Sequence, residues 1–370
     1  MKEIGVYIHI PFCKQKCYYC DFVSFAKQED IQKEYFKTLK NEIKDFFSKN
    51  SNYEISTIYI GGGTPSFVDE NYIKEILDLI PKNRVKEITI EVNPGTVNLE
   101  KLELYINIGV NRLSIGLQST QNSLLKQIGR IHSFEDFLNT YNMAKNVGFD
   151  NINVDLMIGL PNQTIQDIKQ SLEIVTNLKP KHISVYSLIV EEGTKIDELI
   201  NKGTLILPNE ELERNMYWYV KNYLELNGYF HYEISNFSKK GYESKHNLDC
   251  WNQKEYIGFG IAAHSYINNV RFSNTENFDD YFKNFKNSKI VQEEQDEISK
   301  KKEYMLLGLR KIEGVSIQKF KNIFGENPIF IFKDILNKLV NENLIIVDND
   351  NIKLTNKGID LANLVWEEFV

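Results

Sequence analysis

The chain has 370 residues, is 42% hydrophobic and 26% charged, and carries a formal net charge of -7. This is the make-up of a globular protein with room for one large and one small domain, and its acidic balance argues against broad nucleic-acid binding. No run of eighteen apolar residues occurs, so no membrane-spanning helix is expected, and residues 1–10 lack the basic region and cleavage site of a signal peptide. Four cysteines, three of them clustered, suit a reducing cytoplasm better than a disulfide scaffold, so a cytoplasmic location is expected.

In chain order, residues 4–10 read as a buried strand that delivers a loop carrying Cys13, Cys17 and Cys20, spaced Cys-x3-Cys-x2-Cys. Such a loop can fold three thiolates toward one point, and thiolates are soft ligands for zinc, copper(I) or iron–sulfur clusters. Structural zinc takes four closed ligands, and no fourth partner stands nearby. Three ligands on an iron–sulfur cubane leave one iron open for substrate. Phe12, Tyr18, Tyr19 and Phe22 flank the thiols and can shield a cluster from water. A zinc site with a distant fourth ligand, or three ordinary buried cysteines, remains the plainer alternative.

An amphipathic pattern over 30–48 predicts a helix, and the β-branched run 55–60 a strand. The alternation then repeats: helix 71–80, strand 87–92, helix 98–107, strand 112–117, helix 134–147, strand 151–158, helix 164–177, strand 182–189. Strands alternating with helices make an α/β fold with a parallel sheet, here a partial (β/α)6 barrel. Ligands in such sheets gather beyond the C-terminal strand ends. Residues 209–227 read as a helix and 229–237 as a strand, while 240–275 is loop-rich, polar and aromatic. Helical patterns from about 294, through Glu303 to Arg310 and over 316–323 and 329–341, precede short strands 343–348 and 351–354 and a last helix 356–369. These imply a small winged-helix-like C-terminal domain without a basic stripe. The expected domains are a core barrel over 1–235, a connecting segment over 236–295 and the C-terminal domain over 296–370.

Polar residues fall at successive predicted strand ends: Gly61-Gly62-Gly63-Thr64 after strand 55–60, Glu91, Gln118, Arg130 in Gly129-Arg130, and Asp155. Glycine lets backbone approach a ligand closely, and buried polar side chains need partners. Taken singly each has an ordinary structural reading. Four facing one cysteine loop favour a ligand site.

The cysteine spacing, with Tyr19 before the third cysteine, resembles the radical S-adenosylmethionine (SAM) superfamily. The resemblance implies a 4Fe-4S cluster on Cys13, Cys17 and Cys20, whose open iron binds SAM and whose electron cleaves it to a 5′-deoxyadenosyl radical. Further stretches, Tyr7 to Cys13, Tyr232 to Phe237, Gly258-Phe259-Gly260, Ala263-His264-Ser265 and Met305 to Arg310, resemble the oxygen-independent coproporphyrinogen III oxidases and their haem-chaperone relatives, the HemW group. By that resemblance Tyr7, Tyr19, Gly62, Gly63, Thr64 and Glu91 line SAM, and Gln118, Arg130 and Asp155 contact SAM or a second ligand. The oxidases carry a further cysteine where Phe22 stands and a longer N-terminal extension, so the resemblance leans to HemW. It implies haem as cargo, a haem-acceptor protein, an electron donor such as a flavodoxin or ferredoxin, and transient membrane association with respiratory haem proteins. The group's His-Asn-x-x-Tyr-Trp segment appears as His246-Asn247-Leu248-Asp249-Cys250-Trp251, which makes His246 the expected axial haem ligand. A coproporphyrinogen III oxidase, or another radical SAM enzyme such as a methyltransferase, is the competing function.

Overall fold

The computed structural model describes residues 2–370. Six strands form the centre of its large sheet: β1 (Lys2–Ile10), β2 (Tyr53–Gly62), β3 (Glu87–Val92), β4 (Arg112–Gln118), β5 (Asn151–Ile158) and β6 (His182–Ser187). Each pairs in parallel with the next. Crossover helices join them, the principal ones being Gln32–Lys49, Glu70–Leu77, Leu99–Asn107, Phe134–Asn146 and Ile165–Leu178. Local chemistry sets their starts: Ser133 with Asp136, and Thr164 with Asp167, form capping boxes. The expected barrel elements are all present, with no end shifted by more than three residues.

Alternation along each strand divides the molecule into two chemistries. Ile4, Val6, Ile8 and Ile10 of β1, Ile58 and Ile60 of β2, Ile88 and Ile90 of β3, and Leu113 and Ile115 of β4 are buried in one apolar cluster with the helices. The intervening residues point the other way and are polar: Tyr7 and His9, Thr57 and Tyr59, Thr89 and Glu91, Arg112 and Ser114, Asn153 and Asp155, His182 and Ser184. The partial barrel therefore encloses a polar lumen.

The sheet is larger than the six-strand expectation. A hairpin, β7 (Phe230–Glu233) and β8 (Asn236–Ser238), extends it antiparallel beyond β6, where the sequence reads as one strand. The stretch 240–275 is not loop-rich. It holds a helix, Lys245–Trp251, and strands β9 (Tyr256–Phe259), β10 (His264–Ile267) and β11 (Val270–Asn274), followed by β12 (Lys289–Glu294). The full order is β12-β11-β10-β9-β1-β2-β3-β4-β5-β6-β8-β7, with β9 parallel to β1. The β10–β11 turn is Asn268-Asn269, both with positive φ of 51° and 65°, the two-residue hairpin geometry that asparagine tolerates.

A second apolar cluster begins at Tyr304 and includes Met305, Phe320, Leu336 and Val365. It packs helices on a three-stranded sheet of Val315–Ser316, Asn351–Leu354 and Ile345–Val347, in keeping with a winged-helix-like unit. Arg310 joins it to the barrel, its guanidinium 4.4 Å from the Trp251 ring and 4.8 Å from the Trp366 ring. Among the described residues no helix is long and apolar enough to cross a membrane.

Glu42 fastens the first crossover helix to the added strands. It is 4% exposed and accepts from Gly260 N at 2.9 Å, Asn274 Nδ2 at 2.7 Å and the Tyr281 hydroxyl at 2.7 Å. Glu42→Ala strands three buried donors, so urea unfolding should show a loss of about 3 kcal/mol or more.

Candidate cofactor site at the strand ends

The cysteine loop leaves β1 at Pro11 and is pinned on both sides. Phe12 is buried edge-on to Tyr35, ring centroids 5.2 Å apart. His9 Nε2 lies 2.8 Å from the Val23 carbonyl, so Nε2 carries the proton and Nδ1 accepts from the Tyr7 hydroxyl at 2.9 Å. Burial holds this imidazole neutral, its pKa lowered to about 4. Backbone bonds from Gly63 N to Ile10 O (2.8 Å) and Thr64 N to Phe12 O (2.8 Å) fasten the glycine-rich stretch against the loop.

Cys13, Cys17 and Cys20 are free thiols that line one cavity of about 490 Å³ together with Tyr19, Gly62, Gly63, Thr64, Glu91, Gln118, Arg130 and Asp155. Every expected SAM residue but Tyr7 thus borders one space. The Tyr7 hydroxyl is bonded instead to His9 Nδ1. Two glycines make the approach possible. A Cβ on Gly63 would stand 2.9 Å from Cys13 Sγ, and Gly62 has φ +114° with its added Cβ 2.7 Å from the His9 ring. Among the described residues no three His, Cys, Asp or Glu side chains converge tightly enough for a single metal ion. The thiols border a wide, shared cavity, and thiolates are soft ligands. Burial raises the Cys13 and Cys20 thiol pKa values, so metal loading releases protons.

One residue the sequence reading passed over organises the site. Asn93 Nδ2 donates to Thr64 Oγ1 at 2.9 Å, Thr64 Oγ1 donates to Cys13 Sγ at 3.4 Å, and Asn93 Oδ1 accepts from Arg130 at 2.8 Å. Arg130 then donates to the Tyr19 hydroxyl at 2.6 Å. The polar group after β3, predicted to matter through Glu91, acts equally through Asn93. Its Asn-Pro-Gly setting reads as a plain turn. Glu91 accepts from the Tyr59 hydroxyl at 2.8 Å and from Gly62 N at 3.3 Å, and removal from water pushes its carboxyl up to about 7. Asp155 accepts from Asn153 at 2.7 Å and Ser114 at 3.2 Å, its pKa also raised by loss of water. Gln118 ends β4 in the left-handed region, φ +70°, which turns the chain at the cavity wall.

His246 is the exception. It does not border the thiol cavity. The residue is 7% exposed, with Nδ1 2.9 Å from Thr57 Oγ1 and its ring 5.3 Å from that of Tyr59. Glu87, at the start of β3, accepts from the His246 and Lys245 backbone N–H groups at 3.1 Å each. The short helix therefore plugs the lumen from the N-terminal half of the strands, opposite the cysteine loop. Burial lowers the His246 pKa to about 4 and pushes the Cys250 thiol up to about 12. Both behave as packed groups.

A parallel sheet that opens at its C-terminal ends onto three thiols, two close-approach glycines and a ring of polar strand-end residues defines a radical SAM protein, and residues 7–175 match the radical SAM superfamily. Residues 297–361 match the HemN C-terminal domain. The chain is 39% identical to heme chaperone HemW of Bacillus subtilis (strain 168), covering 99% of each chain, and 37% identical to heme chaperone HemW of Lactococcus lactis subsp. lactis (strain IL1403), covering 100% and 98%. It belongs to the HemW family. In fold it is similar to the coproporphyrinogen III oxidase HemN from Escherichia coli, with a TM-score of 0.85 at 22% identity over 100% of this chain and 90% of that one.

Two outcomes follow for single residues. Because the Glu91 carboxyl is raised to about 7, the folded state holds its proton over a range where the unfolded chain has lost it. Its contribution to stability is present below about 4.3 and is lost as pH rises through about 7. Glu91→Gln should flatten that limb of the stability–pH curve measured by urea unfolding. His246→Ala should cost about 2 kcal/mol by unpairing buried Thr57 and opening a void, read as a lower thermal midpoint.

Proposed function

We propose that the chain is a haem carrier with a SAM-binding 4Fe-4S site, and that it passes haem to an acceptor protein. The observation that carries the reading is the shape and chemistry of the thiol cavity. It is wide, mixes apolar lining with thiols and charged strand-end side chains, and opens beside Phe22 and Ile189, which are 63% and 68% exposed. Large apolar groups left in water at a cavity mouth mark a binding surface, and a flat amphiphile with an apolar body and polar arms fits it. The full-length relatives named heme chaperones support the same cargo.

Within this reading Cys13, Cys17 and Cys20 hold the cluster, which when bound supplies the electron for reductive SAM cleavage. The chain's own residues prepare the space. Thr64 donates toward Cys13, an interaction that stabilises a thiolate. Gly62 and Gly63 open the wall for the methionine end of SAM, with Glu91 holding Gly62 in place. Arg130, fixed between Asn93 and Tyr19, offers a positive wall. Phe22 stands where the resembling oxidases have a further cysteine, which favours transport over coproporphyrinogen decarboxylation. An electron donor such as a flavodoxin or ferredoxin completes the scheme.

Anaerobic reconstitution tests the assignment. Cys13→Ala, Cys17→Ala and Cys20→Ala proteins should each lose most iron and acid-labile sulfide, while Cys250→Ala keeps both. The parent should bind haem with a Soret shift and leave coproporphyrinogen III unchanged in the presence of SAM and reductant. Protoporphyrinogen IX formed at enzymatic turnover would overturn the carrier reading in favour of the oxidase.

A further inference from the structure

Below the thiol cavity, the inward-facing residues of the strands include a cation that none of the groups described so far employs. Arg112 begins β4, and alternation turns it inward with Ser114 and Gly116. It is 2% exposed. Strand register places Thr89, Arg112 and Asn151 side by side in one row across β3, β4 and β5. In that row Thr89 Oγ1, Arg112 Nε and Asn151 Oδ1 are each buried without a hydrogen-bond partner. Three neighbouring orphans in one row are unlike the usual interior, where almost every buried polar atom is paired.

The nearby carboxylates each hold other donors, and among the described residues none of them forms an ion pair with Arg112. Glu87 receives the two backbone N–H groups of the helix that plugs the lumen. Glu91 receives Tyr59 and Gly62 N, and Asp155 receives Asn153 and Ser114. Arg112 acts on Asp155 only through space, a buried guanidinium without a directly bonded anion is disfavoured, and its planar fork matches a carboxylate. The location also fits an arm arriving from above. Tyr59, in the same row through its pairing with Thr89, and Ser114, two residues further up β4, both border the thiol cavity. The drop from Ser114 to Arg112 is about 6.6 Å.

We propose that Arg112 forms a carboxylate-binding site in the lumen floor, which receives a propionate arm of the porphyrin that the cavity admits. The identity of the arm rests on the haem-carrier reading; the anion site itself does not. An apolar mouth at Phe22 and Ile189 above a buried guanidinium reproduces the order of chemistry along such an amphiphile, hydrocarbon first and carboxylate last.

The test has two arms on the reconstituted full-length protein, comparing the parent with Arg112→Met and Arg112→Lys. In the first, thermal midpoints are measured in sodium propionate and in sodium chloride at equal ionic strength. The parent should be raised by propionate relative to chloride, Arg112→Met should not respond, and Arg112→Lys, which keeps the charge but loses the fork, should respond partly. In the second, haem and haem dimethyl ester are titrated by the Soret band. The parent should bind haem at least tenfold more tightly than the ester, and Arg112→Met should bind the two alike. A parent indifferent to propionate, as expected if water alone fills the row, overturns the site. So does an Arg112→Met protein that discriminates haem from its ester as well as the parent does. A parent that responds to propionate but binds no haem upholds the carboxylate site and refutes the haem-carrier reading on which its ligand rests.

Discussion

The Asn93 side chain is the joint on which the cavity depends. One amide ties together chain segments that are far apart in sequence: its Nδ2 reaches Thr64 after β2, and its Oδ1 takes Arg130 from the loop beyond β4. Through Thr64 it meets Cys13, and through Arg130 it meets Tyr19, on either side of Cys17 in the same loop. The cysteine loop has little regular structure of its own, so its shape is borrowed from these strand ends. An amide suits the position because it donates and accepts at once. An aspartate there could hold Arg130 but not donate to Thr64.

Beneath that joint, the alternation of the parallel strands sets what the barrel can contain. Parallel strands covered by helices are commonly apolar on both faces. Here only the helix-facing residues are. The lumen-facing residues form a chain of paired polar groups, as where Asn153 Oδ1 meets His182 Nδ1 at 2.6 Å and His182 Nε2 meets the Tyr232 hydroxyl at 2.7 Å. Pairs of this kind stiffen the lumen wall, and the row of Thr89, Arg112 and Asn151 stands out because its members lack them.

Much of this was legible in the chain itself. Apolar runs broken at Gly61, Asn93 and Gln118 mark strands and their ends, and the cysteine spacing marks the loop, because both are local patterns. The 240–275 region was not legible for the opposite reason. Its strands have four or five residues each and gain their stability from β1 and from one another, so no period accumulates within the segment. The Asn268-Asn269 pair was a readable turn signal that the polar composition obscured. His246 shows a different limit. A motif identifies which residues belong together, while the end of the barrel they occupy is decided by contacts with Thr57 and Glu87, almost 200 positions away in sequence for Thr57.

The sandwich of Arg310 between Trp251 and Trp366 has a mechanical character. Arg310 Nε and both indole N–H groups are buried without hydrogen-bond partners, so no directional bond fixes the position of these three flat groups within their stacking planes. Directional bonds across the same seam hold the C-terminal unit in register with the barrel: Ile312 N donates to Tyr232 O at 3.1 Å, Lys311 Nζ to Asn252 Oδ1 at 2.6 Å and Trp218 Nε1 to Asp360 Oδ1 at 2.8 Å. Trp251 ends the helix whose other end carries His246, so the seam with the C-terminal unit and the plug of the lumen share one short element.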